Sequence, residues 1–194
     1  LTILIHPLIG TFNQPELAKA YFYLYIPPLL TILDSTITPI RSRALSILAT
    51  FIPLLPAKTL IQTGLAEVFE DAVTPTLMFL PNLTPVDESV LLLDGAYQDL
   101  IVLGSTLYST EPEASLKKKK LPEQEEKRIK FWDRLIRKGI LTGNAHANEH
   151  PAIVEVLLRH LSTIVSELGI YSVKHLKVSR SNPIPSKTKL PYRN

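Results

Sequence analysis

Cysteine is absent from the 194 residues, which excludes a disulfide framework, a thiol nucleophile and any Cys-ligated zinc site. The same absence fits a reducing, intracellular setting. Glycine is scarce, at 7 against 16 prolines. No glycine-rich phosphate loop is present, and short elements with firm breaks are expected. Long apolar runs are missing as well. The two uncharged candidates, 20–33 and 44–57, hold 14 positions each and contain Pro27, Pro28, Pro53 and Pro56. A spanning helix needs about 20 apolar residues, so neither is read as a membrane segment. The chain opens at Leu1 with no charged region before an apolar core, and is read as a fragment without a signal peptide.

What is present fits one packed domain. Hydrophobic residues make up 45% and charged residues 20%, too apolar for a disordered chain. The net charge of +3 is uneven. Four of the 21 basic residues (Arg180, Lys187, Lys189 and Arg193) follow Lys177, where there is no acid; without them 17 basic residues face 18 acidic ones. A pI near 9.1 would point to nucleic acid, but the basicity belongs to the tail. No nucleic-acid partner is expected.

Helical patterning dominates. Pro28 is read as the first turn of a helix ending at Asp34-Ser35, and Thr38-Pro39 as the capped start of the next. On that second helix Ile40, Ala44, Leu45 and Leu48 share a face, and Arg41 is placed to reach back to Asp34 or to the carbonyls of the first helix. A helix pair with this order of Pro, Leu pairs, Asp, Pro and Arg looks like a HEAT repeat. Pro28 and Pro75 are 47 positions apart and Pro39 and Pro85 are 46 apart, within the HEAT period of about 40–47 residues. Thr84-Pro85-Val86-Asp87 starts another helix, with Thr84 as cap and Asp87 favoured at N3 by the helix dipole.

Residues 109–126 read as a charged loop insertion, with four lysines at 117–120 among glutamates. After Pro122 a helix carries Ile129, Trp132, Leu135 and Ile136 on one face and stops at Gly139. A last helix begins at Pro151, with Ile153, Leu157, Leu161, Ile164, Val165 and Leu168 inward and Gly169 as its stop. No stretch alternates like a half-buried strand. The fold expected is all-α, a HEAT-like helical-repeat fragment over 1–177 followed by a disordered tail, 178–194.

Several motifs carry competing readings. His146-Ala147-Asn148-Glu149-His150 matches the H-x-x-E-H zinc-peptidase pattern, but shared ligation needs both histidines on one helical face. Pro151 disfavours helix at His150, so His150 reads as a helix-start residue and no metal or other cofactor is expected. The lysines 117–120 resemble a nuclear import signal or a phosphate-contacting patch, against a solvated loop neutralised by nearby glutamates. Asn82-Leu83-Thr84 fits the glycosylation sequon, with Thr84 already used as a cap. Trp132 reads as a partner anchor or as a core aromatic. Lys174, His175 and Lys177 read as a partner contact or as the polar side of an amphipathic start.

Two blocks point to a family. Phe79-Leu80-Pro81-Asn82-Leu83-Thr84-Pro85-Val86-Asp87-Glu88-Ser89, followed by Ala96-Tyr97, resembles the fungal Tti-two family of Tel-two-interacting proteins. So does Gly169-Ile170-Tyr171-Ser172-Val173-Lys174-His175-Leu176-Lys177, preceded by Glu149-His150 and Arg159-His160-Leu161. The resemblance implies a non-enzymatic scaffold in the TTT co-chaperone complex, with Tti-one and Tel-two as partners. It further implies work with the ninety-kilodalton heat-shock chaperone on phosphatidylinositol-3-kinase-related kinases, in cytoplasm and nucleus. No catalytic residues accompany it. The family helix is expected to continue past Lys177, whereas the chain turns polar and proline-rich at Val178-Ser179. That dipeptide is what an in-frame splice donor commonly encodes, so the tail is read as mis-joined sequence. The alternatives are an unrelated HEAT-repeat module and the zinc peptidase.

Overall fold

The computed structural model describes residues 15–108 and 121–175. Among these residues every regular element is helical. The first helix, α1 (Pro15–Leu33), begins well before the expected start at Pro28 and carries Pro27 and Pro28 inside it. Each internal proline removes a helical hydrogen bond, and tertiary packing offsets that loss. Ile26, Leu29 and Leu33 are buried along one face of α1.

A short turn leads into α2 (Thr38–Phe51). Proline opens this helix as expected, but Thr38 does not cap it. Ile37 occupies the cap position without a side-chain bond, and the Thr38 hydroxyl donates instead to Glu88 Oε2 at 2.5 Å. Arg41, Ala44, Leu45, Leu48 and Phe51 are buried. Ile40 is 38% exposed, so the apolar face is turned by one position from the one expected. Arg41 takes the inward place.

The chain continues through α3 (Ala57–Gln62), α4 (Leu65–Val73) and a 3-10 turn, Thr74–Met78. Pro75 lies in that turn whereas Pro28 lies within α1. Their 47-residue spacing therefore joins two different local structures. The long helix α5 (Val86–Tyr108) follows. Pro85 precedes its first residue, and its carbonyl accepts the Ser89 N–H at 2.8 Å. Asp87 and Glu88 fill the first turn, where the dipole favours acids.

By length and composition α5 is apolar enough to cross a bilayer, but more than half of its apolar window is buried inside the fold. It is the central core helix. Packed around it are α2, α4 and the closing helices, with Leu92, Leu93, Ala96, Tyr97, Leu100 and Leu103 inward.

The helix α6 (Leu121–Arg134) has Pro122 in its first turn, so 121–126 is helical and the expected loop is shorter at this end. Helical structure then persists past Gly139, through a π-helical segment (Leu135–Leu141) into α7 (Thr142–Ala147). Gly139 is a contact residue, not a stop. A Cβ there would sit 3.0 Å from the Tyr97 hydroxyl and 3.3 Å from Leu77, so the bare backbone admits Tyr97.

The last long helix, α8 (Pro151–Leu168), has the expected bounds and ends at Gly169. Gly169 has φ +56° and ψ −130°, a conformation open essentially to glycine alone. Ile153, Leu157, Ile164 and Leu168 face inward as expected, Leu161 is partly buried against the core, and Val156 and His160 join them. Val165 is 38% exposed and is corrected to the outer face.

Candidate functional site

The polar clusters of the described residues serve packing, and none assembles a reaction centre. The H-x-x-E-H motif is divided between two elements. His146 lies in α7, while His150 is the extended residue capping α8, with φ −106° and ψ 99°. The two histidines share no helix. Among the described residues no group of three or more metal-ligating side chains converges.

Arg41 reaches back across the turn, to Ser35 and not to Asp34 or a carbonyl of α1. Its Nε donates to the Ser35 carbonyl at 2.9 Å, and its guanidinium lies 4.4 Å from the centroid of the Phe79 ring. Burial pushes its pKa down and nearby Asp34 opposes the shift. The side chain stays charged and staples the α1–α2 turn to the segment before α5.

Trp132 is fully buried, packed edge-on against Phe131 at 5.1 Å. A Cβ on Gly104 would fall within 2.7 Å of the Trp132 ring, so α5 and α6 approach through that glycine. The partner-anchor reading of Trp132 is therefore replaced by a core role. A buried indole offers a partner no surface.

Lys174 and His175 meet at an acid that sequence reasoning did not select. Asp133 Oδ1 lies 2.8 Å from Lys174 Nζ and 2.8 Å from His175 Nε2, while Arg137 Nε donates to Asp133 Oδ2 at 3.1 Å. Burial pushes the Asp133 carboxyl up, but Lys174 and Arg137 together outweigh it and hold the carboxyl below its ordinary value. His175 is buried, which pulls its imidazole down despite the attraction of Asp133. Lys177 lies outside the described residues, as do the lysines 117–120.

A second cluster joins α5 to α8. His160 Nε2 lies 2.8 Å from Asp94 Oδ1, which also accepts from Arg159 Nη1 at 3.2 Å. The imidazole stacks on Tyr97 at 5.3 Å. A His–Asp pair resembles part of a hydrolase site, but among the described residues no serine or threonine is recorded bonding the imidazole, whose ring stacks on Tyr97. Between α4 and α6 an open cleft of about 930 Å³ has Leu60, Leu107 and Phe131 in its lining. The Glu70–Arg134 ion pair closes one side. Its lining carries four acids (Glu67, Glu70, Asp71 and Glu123) and three bases (Lys127, Lys130 and Arg134), and includes no histidine.

Asp99 was also missed. It is buried on α5 with both carboxylate oxygens unpartnered, and burial pushes its pKa up to about 9. Its spacing from Leu92, Ala96 and Leu103 was a usable signal, because those residues define the inward face of the helix.

Comparison with known proteins supplies what this geometry does not. No curated protein and no solved structure matches the chain significantly. The model of the Tti2 family matches residues 4–181, a stretch that includes both sequence blocks and passes Lys177 by four positions. With nearly the whole sequence matched, the chain belongs to the Tti2 family.

Proposed function

We propose that this protein acts through its helix surfaces, binding Tti-one and Tel-two within the TTT co-chaperone complex. The family role is that of a non-enzymatic scaffold or adaptor, and the nearly full-length family match carries that assignment. Through those partners the protein supports the maturation of phosphatidylinositol-3-kinase-related kinases by the ninety-kilodalton heat-shock chaperone, in cytoplasm and nucleus. The α1–α2 pair, closed by a short turn and stapled by Arg41, supports a HEAT-like stack as the architecture. Residues 1–177 would form that unit and 178–194 a tail outside it. Sequencing the transcript tests the tail: a mature message encoding 178–194 refutes the mis-joined reading.

Contact through Lys174 and Lys177 belongs to the same reading. Lys174 is 42% exposed at its side chain and leaves charge at the surface beside Ile170 and Val173. Depleting the protein in its own cells should lower the steady-state level of these kinases, and re-expression should restore it. Unchanged kinase levels after complete depletion would contradict the adaptor role.

A further inference from the structure

Both α4 and α6 pack on α5, yet between them lies the open cleft of about 930 Å³. Its lining has an apolar core. Leu60, Leu107 and Phe131 border it with little exposure of their own, and Ile61 beside them is 58% exposed. Tyr108 and Phe131 meet there with ring centroids 5.8 Å apart. An apolar side chain that displaced water from this surface would be favoured.

The charges on the two walls are unevenly matched. On α6, Lys127 pairs with Glu123 at 2.9 Å, Lys130 with Glu126 at 2.6 Å and Arg134 with Glu70 of α4. Every base lining the cleft therefore has an acid already. On α4, Glu67, Glu70 and Asp71 fall within five positions, and Arg134 answers only Glu70. Glu67 and Asp71 are exposed, and among the described residues no base pairs with either. Like charges four apart on a helix repel, and an incoming cation would relieve that repulsion. The same field acts on Glu70. Burial pushes its carboxyl up, Arg134 opposes the shift, and Asp71 and Glu67 add to it.

The spacing of the two free acids sets the shape of what they can meet. Glu67 and Asp71 are one helical turn apart, about 6 Å along the axis at 1.5 Å per residue. Two basic residues four apart on another helix repeat that spacing. We propose that the α4–α6 cleft docks a helix of a protein partner, apolar on the face that enters and basic on the flank that meets Glu67 and Asp71. In such helix-in-groove docking the apolar anchors recur every three or four residues and supply the affinity. The charged flank fixes orientation and rejects wrong partners. A helix with an acidic flank would meet Glu67 and Asp71 as like charges. The proposal rests on the adaptor reading only for which protein carries this helix.

The test uses the full chain and a fluorescent peptide of about 14 residues, roughly the 21 Å length of α6. The peptide carries leucines on one face and lysines on one flank; a twin carries glutamates on that flank. By anisotropy the lysine peptide should bind about tenfold tighter than its twin at low salt, and the preference should shrink as salt rises. Glu67→Lys with Asp71→Lys should cancel the preference, and Ile61→Asp should weaken both peptides. All three positions are exposed, so circular dichroism should show full helicity in these variants. Equal binding of the two peptides by the wild type, or a preference that survives the double substitution, would overturn the proposal. A gain in lysine-peptide binding on replacing the lysines 117–120 with serine would also overturn it, by making the chain's own insertion the occupant. So would a dimer that the double substitution dissociates, by making a second copy the occupant.

Capture by tagged Tti-one with Tel-two is read on the same variants. Loss of capture in the double variant alone would support the proposal and place the helix on one of those partners. Equal capture of wild type and double variant would overturn the proposal and leave the adaptor reading intact. Failure to capture even the wild type would contradict the adaptor reading, and the peptide result would then decide the cleft.

Discussion

His160 Nε2 lies 2.8 Å from Asp94 Oδ1, with the imidazole stacked on Tyr97, so one side chain of α8 engages two of α5. The stack is buried and the carboxylate is half in water. The aromatic contact should therefore dominate. His160→Ala should lower unfolding stability by about 2–3 kcal/mol, as for other large-to-small core changes. Asp94→Ala should lower it by about 1 kcal/mol, the net worth of one hydrogen bond. A double-mutant cycle by urea unfolding checks the pair, and equal losses for both single variants would contradict this division.

Asp99 predicts an unusual pH profile. Its carboxyl is buried without a partner and titrates at about 9 in the fold, against an ordinary value of 3.8. The folded state holds a proton that the unfolded state has lost over that interval. This contribution to stability is full below the unfolded value and is lost as pH rises through about 9. Asp99→Asn, which carries no titrating proton, should gain on the wild type progressively from pH 5 to pH 8 in thermal melts. A constant difference across that range would refute the assignment.

Gly104 sets the approach of α5 to α6. An added methyl would sit 2.5 Å from Phe131 and 2.7 Å from Trp132, and buried aromatic rings have little room to yield. Gly104→Ala should destabilise by about 1–3 kcal/mol, the usual range for overpacking, despite the better helix propensity of alanine. Tryptophan emission should also report the displaced ring. An unchanged melting temperature would show that the interface relaxes freely.

Arg41 uses its planar geometry twice, donating to the Ser35 carbonyl and lying on Phe79. Lysine keeps the charge but matches neither arrangement well. Arg41→Lys should cost about 1–2 kcal/mol in chemical denaturation, on the scale of a lost charged hydrogen bond. Full stability in the lysine variant would reduce Arg41 to a simple point charge.

The sequence revealed helices best where punctuation and periodicity agree. Pro151 and Gly169 bound α8 as read, because a proline start and a glycine stop act locally. Pro28 and Gly139 misled for the opposite reason. Tertiary packing carries α1 through its prolines, and Gly139 exists to admit Tyr97. Arg41 was legible because its partner lies six residues away. Asp94 with His160 and Asp133 with His175 were not, since each joins residues more than 40 positions apart. No one-dimensional pattern encodes those meetings. The family was legible because its blocks are local strings, whereas the partner surface is a property of the assembled fold.

The central claim is that this protein works by binding its complex partners, and co-purification tests it most directly. The full chain, shown to be helical by circular dichroism, would be co-expressed with tagged Tti-one and with Tel-two from the same source. The account predicts stable capture through Tti-one, retained when 178–194 is removed. A folded, helical chain that fails to co-purify with either partner would contradict it.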